Sequence, residues 1–142
     1  MSVEKRLLEI HEWLGVGYRP CIDFAGWRVA ILCYIDELAP DQIDAMERHN
    51  QTDEVFVLLN GRCILFIGDG DREIEDIQPV DMLPHKLYNV KKGVYHTHTL
   101  TRDAIVLIVE NRDTSPLNSD RLLLRDEQRK ALMTMTEELW AS

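Results

Sequence analysis

Short apolar runs, each closed by a turn signal, dominate the middle of this chain. Trp27 to Ile35 reads WRVAILCYI, rich in β-branched and aromatic residues and apolar on both faces. That pattern predicts a central strand, covered on one side by a barrel interior and on the other by a helix or a second subunit. Glu54 to Leu59 and Cys63 to Ile67 flank Asn60-Gly61, a dipeptide that predicts a tight hairpin between two such runs. Gly68-Asp69-Gly70-Asp71 marks the next turn and a short strand is expected around Ile74 to Ile77. After a less regular stretch with Pro79 and Pro84, Lys91-Lys92-Gly93 leads into Val94 to Leu100, and Thr101-Arg102-Asp103 into Ala104 to Glu110. Some seven or eight strands with no helix between them predict an antiparallel sandwich or barrel over about 27–110, and exclude βαβ units.

The period changes at both ends. Val3, Leu7, Ile10 and Leu14 recur at three- and four-residue intervals, with Ser2 as N-cap and Gly15 and Gly17 as a stop, which predicts a helix over 1–15. Leu132, Met135 and Leu139 form a similar stripe after Asp126, a candidate N-cap, and predict a helix over about 126–140. Between barrel and second helix, 111–120 reads as a loop crossing the outside, and whether it forms a lid over the barrel mouth is left to the tertiary structure. Trp13, Trp140 and the doubly apolar strand leave more apolar surface than a small barrel covers by itself, so a homodimer is expected.

A chain of 142 residues at 45% hydrophobic content is long enough for one domain, 1–142, and short for two. With 16 basic against 25 acidic residues, a nucleic-acid partner is not expected. No apolar run approaches a membrane span and the N-terminus lacks a signal-peptide pattern, so no membrane partner and a cytoplasmic location are expected. Cys21, Cys33 and Cys63 show no CxxC spacing and are expected as free thiols.

Candidate chemistry sits in two stretches, His49-Asn50-Gln51-Thr52-Asp53-Glu54 and Gly93-Val94-Tyr95-His96-Thr97-His98, each at the edge of an apolar strand. Side chains two apart on a strand share a face, so His96 and His98 project together. If His49 and Glu54 lie opposite, three imidazoles and one carboxylate converge, a set that suits Zn²⁺, Fe²⁺, Mn²⁺, Ni²⁺ or Cu²⁺. The alternative is a hydrogen-bonded polar cluster with no metal. Arg28 and Tyr34 share the other candidate inward face, where packing is the ordinary role for both.

His49, Glu54 and Gly61, with six residues between the last two, resemble the first motif of the cupin superfamily, and Gly93-x-x-His96 resembles the second. The likeness covers roughly Arg28 to Glu110. It implies a double-stranded β-helix, the jelly-roll barrel of cupins, here with flanking N- and C-terminal α-helices, commonly dimeric and holding a divalent metal (Zn, Mn, Fe or Ni) on two histidines and a glutamate from the first motif and one histidine from the second. This chain has Arg48-His49-Asn50-Gln51 where cupins carry His-x-His, so one ligand position holds an amide, and His98 is the replacement on the same face as His96. The metal set expected from the resemblance is His49, Glu54, His96 and His98. A narrower likeness, carried by Arg48-His49 and by Gly93-Val94-Tyr95-His96-x-His98-x-Leu100, is to ureidoglycolate lyases, which release urea from a small carboxylate. Such an elimination needs a base and an acid; Glu54 or His98 is the candidate base and His96 an acid or ligand. The competing reading is a binding module that holds a small sugar or carboxylate without turnover.

Overall fold

A computed structural model describes residues 3–141 of the chain. Ten strands build two five-stranded antiparallel sheets. Strands β1 (Tyr18–Phe24), β2 (Trp27–Cys33), β9 (Ile105–Asn111), β4 (Glu54–Asn60) and β7 (Tyr88–Val90) lie side by side in that order in the first sheet. In the second the order is β10 (Ser119–Leu123), β3 (Ala45–His49), β8 (Tyr95–Leu100), β5 (Cys63–Asp69), β6 (Asp76–Asp81). A helix, α1 (Asp126–Trp140), ends the described chain.

Strand alternation assigns the side chains to two cores. Ala30 and Leu32 on β2, Phe56 and Leu58 on β4, Val106 and Ile108 on β9 meet Cys63, Leu65 and Leu100 from the opposite sheet, forming the barrel interior. The other parity of the second sheet, Met46, Ile64, Phe66 and Tyr95, packs against Leu132, Met135 and Leu139 of α1. This explains why the Cys63-to-Ile67 run has no polar position: both of its faces are covered.

Several expectations change. The Asn60-Gly61 turn does not close a hairpin, because β4 pairs with β7 and β9 while β5 pairs with β6 and β8. The turn carries the chain from one sheet to the other. Gly61 has φ +69°, and a Cβ there would stand 2.7 Å from the Ala104 Cα. Gly61→Ala combines left-handed strain with a backbone clash, so a loss of about 2–4 kcal/mol is expected, read as a lower urea midpoint at unchanged m-value.

The 111–120 segment is not merely a surface loop. After a 3-10 turn at Pro116–Asn118, Ser119–Leu123 becomes an edge strand, with Ser119 opposite His49 in the register. An N-terminal helix is also absent: residues 3–16 form an arm with one turn around Lys5–Leu7, and Leu7, Ile10 and Leu14 are 63%, 84% and 68% exposed. Its heptad-like stripe has no surface to bury against, and without burial a short helix is not stable in water. The proposed cap Ser2 lies outside the described residues. At the other end, α1 matches the expected span, capped by Arg125 in place of Asp126. None of the described helices is long and apolar enough to cross a membrane.

Candidate metal and acid–base site

Polar side chains gather at one end of the barrel interior. Along β4 the inward set is Glu54, Phe56, Leu58; along β8 it is His96, His98, Leu100; along β9 it is Val106, Ile108, Glu110. Glu54, His96 and Glu110 therefore crowd the same rim, and the apolar members fill the far end.

His49 joins them from the end of β3, and three contacts fix it there. Its carbonyl accepts from the Gly93 N–H at 2.8 Å, its Nδ1 lies 2.7 Å from Ser119 Oγ, and the next residue bonds Asn118. Asp53 serves the same join: its carboxylate accepts from the Lys92 N–H and the Asn89 amide, tying the Gly93 turn to the first motif. These two bonds, the amide first, hold its carboxyl below the ordinary range.

Glu54 Oε1 lies 2.7 Å from His96 Nε2 and 3.4 Å from His49 Nε2. One donor atom from each of the three residues lies within 4.8 Å of the others, and Glu54 and His96 are buried. The tautomers constrain what can sit between them. His96 Nδ1 is 3.0 Å from the Val94 carbonyl, which only accepts, so Nδ1 carries a proton. A neutral His96 then aims its Nε2 lone pair at a carboxylate oxygen, a repulsive contact that a proton or a cation on Nε2 relieves. A ligating histidine that donates its other N–H to a backbone carbonyl is the usual arrangement around a bound metal. The residues present therefore fit a divalent transition metal with two imidazoles and one carboxylate, leaving positions open for substrate or water.

His98, expected in the same set, is not brought into it. It shares the His96 face but lies one step deeper, its ring 5.5 Å from that of Phe56, and it is outside the group of three. Its Nδ1 is shut away without a hydrogen-bond partner. Burial first, opposed by the Glu54 charge, pushes its pKa down to about 4, so it is a neutral imidazole at pH 7.

Sequence reasoning missed two members of the site. Glu110 is 8% exposed, and its Oε1 accepts a 2.6 Å hydrogen bond from the Tyr18 hydroxyl across 92 residues of sequence. Burial, then the neighbouring Glu54 carboxylate, raises its pKa to about 8. In the paired Glu54, burial acts in the raising direction, but hydrogen bonds from His49 and His96 outweigh it and hold the group ionised, well below the carboxylate range. Two neighbouring carboxyls whose pKa values are pushed in opposite directions have the protonation states that an acid and a base require. Glu110 Oε2 is buried with no protein partner. His49 is raised, chiefly by its hydrogen bond to Glu54. A signal for Glu110 existed: it shares parity with Val106 and Ile108 and sits opposite Arg28 in the β2–β9 register, two charges on inward faces of apolar strands. Tyr18 offered none, because β1 was not foreseen.

Arg28 connects this cluster to the outside. Its guanidinium donates two bonds to Asp23, at 2.7 and 3.2 Å, and lies close enough to Tyr18 to influence its ionisation. With Arg112, Gln51 and Asn111 it lines a cavity of about 500 Å³ over the same barrel end. Tyr34, on the same strand face, packs on the apolar interior, as expected.

No family model matches the sequence, and no curated protein does. Solved structures do. A Streptomyces Pac13 variant with uridine matches at TM-score 0.53 over 72% of this chain and 73% of its own, at 8% identity. A second Pac13 structure, described as a nucleoside dehydratase, matches at 0.53 and 7% identity over the same shares. A cupin-2 domain protein from Shewanella frigidimarina is 21% identical over 75% of this chain and 87% of its own, at TM-score 0.47. The fold is thus the jelly-roll β-barrel that the motifs implied, shared with Pac13. The narrower likeness to ureidoglycolate lyases finds no counterpart among these structures.

Proposed function

We propose that this chain is a small cytoplasmic cupin enzyme, a lyase that carries out an acid–base elimination on a small carboxylate such as ureidoglycolate, with a divalent metal (Zn, Mn, Fe or Ni) held by His49, Glu54 and His96. The observation that carries the reading is the convergence of donor atoms of His49, Glu54 and His96 within 4.8 Å of one another, with the buried Glu110 carboxyl beside them. A bound metal would polarise a substrate oxygen as a Lewis acid.

The chain's own residues supply the rest. Tyr18 donates to Glu110 Oε1, which leaves Oε2 as the atom that carries the acidic proton. Glu110 delivers that proton to the leaving group, and Glu54, through the carboxylate oxygen that the imidazoles do not face, takes up the proton released from the substrate hydroxyl. His98 stays neutral at the floor of the site. A protein of the same fold, Pac13, is described as a nucleoside dehydratase, which supports the elimination reading. The partners in this reading are the small-molecule substrate and a second copy of the chain.

The test joins metal content to turnover. Purified protein and His96→Ala are compared by plasma mass spectrometry, and both are offered ureidoglycolate and related hydroxy carboxylates, with products followed by NMR. Near-stoichiometric metal lost in the variant, together with an elimination product, is the expected result. Protein that takes up no Zn²⁺, Mn²⁺ or Ni²⁺ and leaves every substrate unchanged would overturn the enzyme reading in favour of a binding module.

A further inference from the structure

The two histidines of the cluster are held in different ways. His96 Nδ1 lies 3.0 Å from the carbonyl of Val94, two residues earlier in the chain, and a carbonyl only accepts. His49 Nδ1 lies 2.7 Å from Ser119 Oγ, a hydroxyl brought from 70 residues away. The first ring is oriented by the residues leading into its own strand. The second depends on β10, the edge strand of the second sheet.

Register explains that contact. β10 pairs with β3 from Ser119 opposite His49 to Leu123 opposite Ala45. Residues directly opposite in an antiparallel pair place their side chains close together on one face, so the hydroxyl meets the ring. Other bonds seat this end of β10. The Asn50 N–H donates to the Asn118 carbonyl at 2.9 Å, and the side chains of Arg48 and Asn50 both donate to the Asp120 carboxylate. The 3-10 turn before the strand is closed by its own capping box between Ser115 and Asn118. Backbone and neighbouring side chains thus place Ser119, and Ser119 places the ring.

The tautomer gives the contact its consequence. His49 Nε2 stands 3.4 Å from Glu54 Oε1. To bind a metal through Nε2, the ring must offer a lone pair there and carry its proton on Nδ1, and which nitrogen holds the proton is set by the hydrogen bond the other makes. Ser119 Oγ accepts from that Nδ1–H. Without this acceptor, a neutral His49 beside the carboxylate keeps its proton on Nε2, donates it to Glu54, and blocks the ligand position.

We propose that Ser119 is a positioning residue of the metal centre: its hydroxyl holds the Nδ1–H form of His49, leaves Nε2 free to ligate, and makes β10 part of the site. The inference rests on the metal reading of His49, Glu54 and His96. It has a reciprocal side. Because the Ser119 contact favours the metal-bound form, bound metal favours the seated β10 by the same factor, and loading is expected to clamp this edge strand.

The experiment uses the full chain, stripped of metal and titrated with Zn²⁺, as wild type, Ser119→Ala and Ser119→Thr. Competition calorimetry reads affinity, nitrogen-15 NMR reads the protonation of each His49 ring nitrogen, and hydrogen-exchange mass spectrometry reads 116–123. Ser119→Ala is expected to bind Zn²⁺ about 10–100-fold more weakly, and Ser119→Thr, which keeps the hydroxyl, close to wild type. Zinc-loaded wild type is expected to show His49 protonated at Nδ1 and ligated at Nε2, with slower exchange across 116–123. Wild-type affinity in Ser119→Ala, or ligation of His49 through Nδ1, would sink the proposal and leave the metal reading standing. Should Ser119→Ala fail to fold, the wild-type exchange decides, since zinc that leaves 116–123 unprotected contradicts the clamp. Wild type that takes up no Zn²⁺ removes both readings together.

Discussion

Glu54→Gln is expected to abolish turnover and weaken metal binding by at least about 100-fold, even though the side chain keeps its shape. The reason lies in what surrounds the carboxylate. Both imidazole Nε2 atoms point at Glu54 Oε1, at 2.7 and 3.4 Å, and a neutral amide there provides neither the anionic ligand nor the counter-charge. Losing the charge also releases His49, whose pKa is raised mainly by that carboxylate. The linkage has a definite sign. A histidine with a raised folded pKa adds stability that is complete below its unfolded value near 6.5 and disappears as pH rises through the folded value. Removing the charge from a buried pair costs about 3 kcal/mol or more when the partner is left alone, so metal-free Glu54→Gln is expected to melt lower than wild type, most clearly at pH 6. Titration calorimetry with Zn²⁺ and a melting series at pH 6 and 8 check both parts. Full metal affinity in the variant would remove Glu54 from the ligand set.

Glu110→Gln is the second large effect, and it has opposite consequences for activity and stability. In metal-free wild type, Glu110 keeps its proton up to about pH 8, whereas the unfolded chain releases it near the ordinary value of 4.5. The native state thus binds more protons than the unfolded one between those values, and stability falls as pH rises across that window. His49 adds to the fall above pH 6.5. The low pKa of His98 acts in the other direction, but only below 6.5, so the range from pH 6.5 to 8.5 isolates the first two groups. Wild type is expected to lose about 1–2 kcal/mol over that range, and Glu110→Gln less than half as much, because glutamine keeps the Tyr18 hydrogen bond and has no charge to develop. Activity is expected to drop by about 10²–10³-fold, the ordinary weight of a general acid. Urea melts at three pH values and a turnover assay at pH 7 measure the two. A variant as pH-sensitive as wild type would show that another group governs the slope.

Parity is a local property, and wherever the chain's chemistry depended on parity it could be read in advance. Arg28 shares its face with the inward side of β2, His96 and His98 project together, and the unbroken apolar run of Cys63 to Ile67 marks a strand covered twice. The resemblance of Glu54, Gly61, Gly93 and His96 to the cupin motifs likewise implied the barrel that the structure displays. Local signals failed where a partner had to be chosen. Asn60-Gly61 makes a turn, as its left-handed glycine requires, but whether that turn joins neighbours in one sheet or crosses between two depends on what else pairs with β4 and β5. The apolar stripe of the N-terminal arm has helical spacing and no surface in its own chain to lie against.

Depth and distance separate the site that was foreseen from the one observed. His98 has the right face and lies one step too far in, its ring 5.5 Å from that of Phe56 in the apolar interior. Glu110 and Tyr18 meet across 92 residues and two strand pairings, a contact no window of sequence contains. The sequence by itself determined the strands' two faces and the C-terminal helix, since each follows from side-chain period over a few residues, and its resemblance to the cupin motifs singled out His49, Glu54 and His96. Which carboxyl pairs with Glu54 and which histidine is excluded were decided only by the tertiary structure, since each is a matter of long-range burial and of the charge that burial brings together.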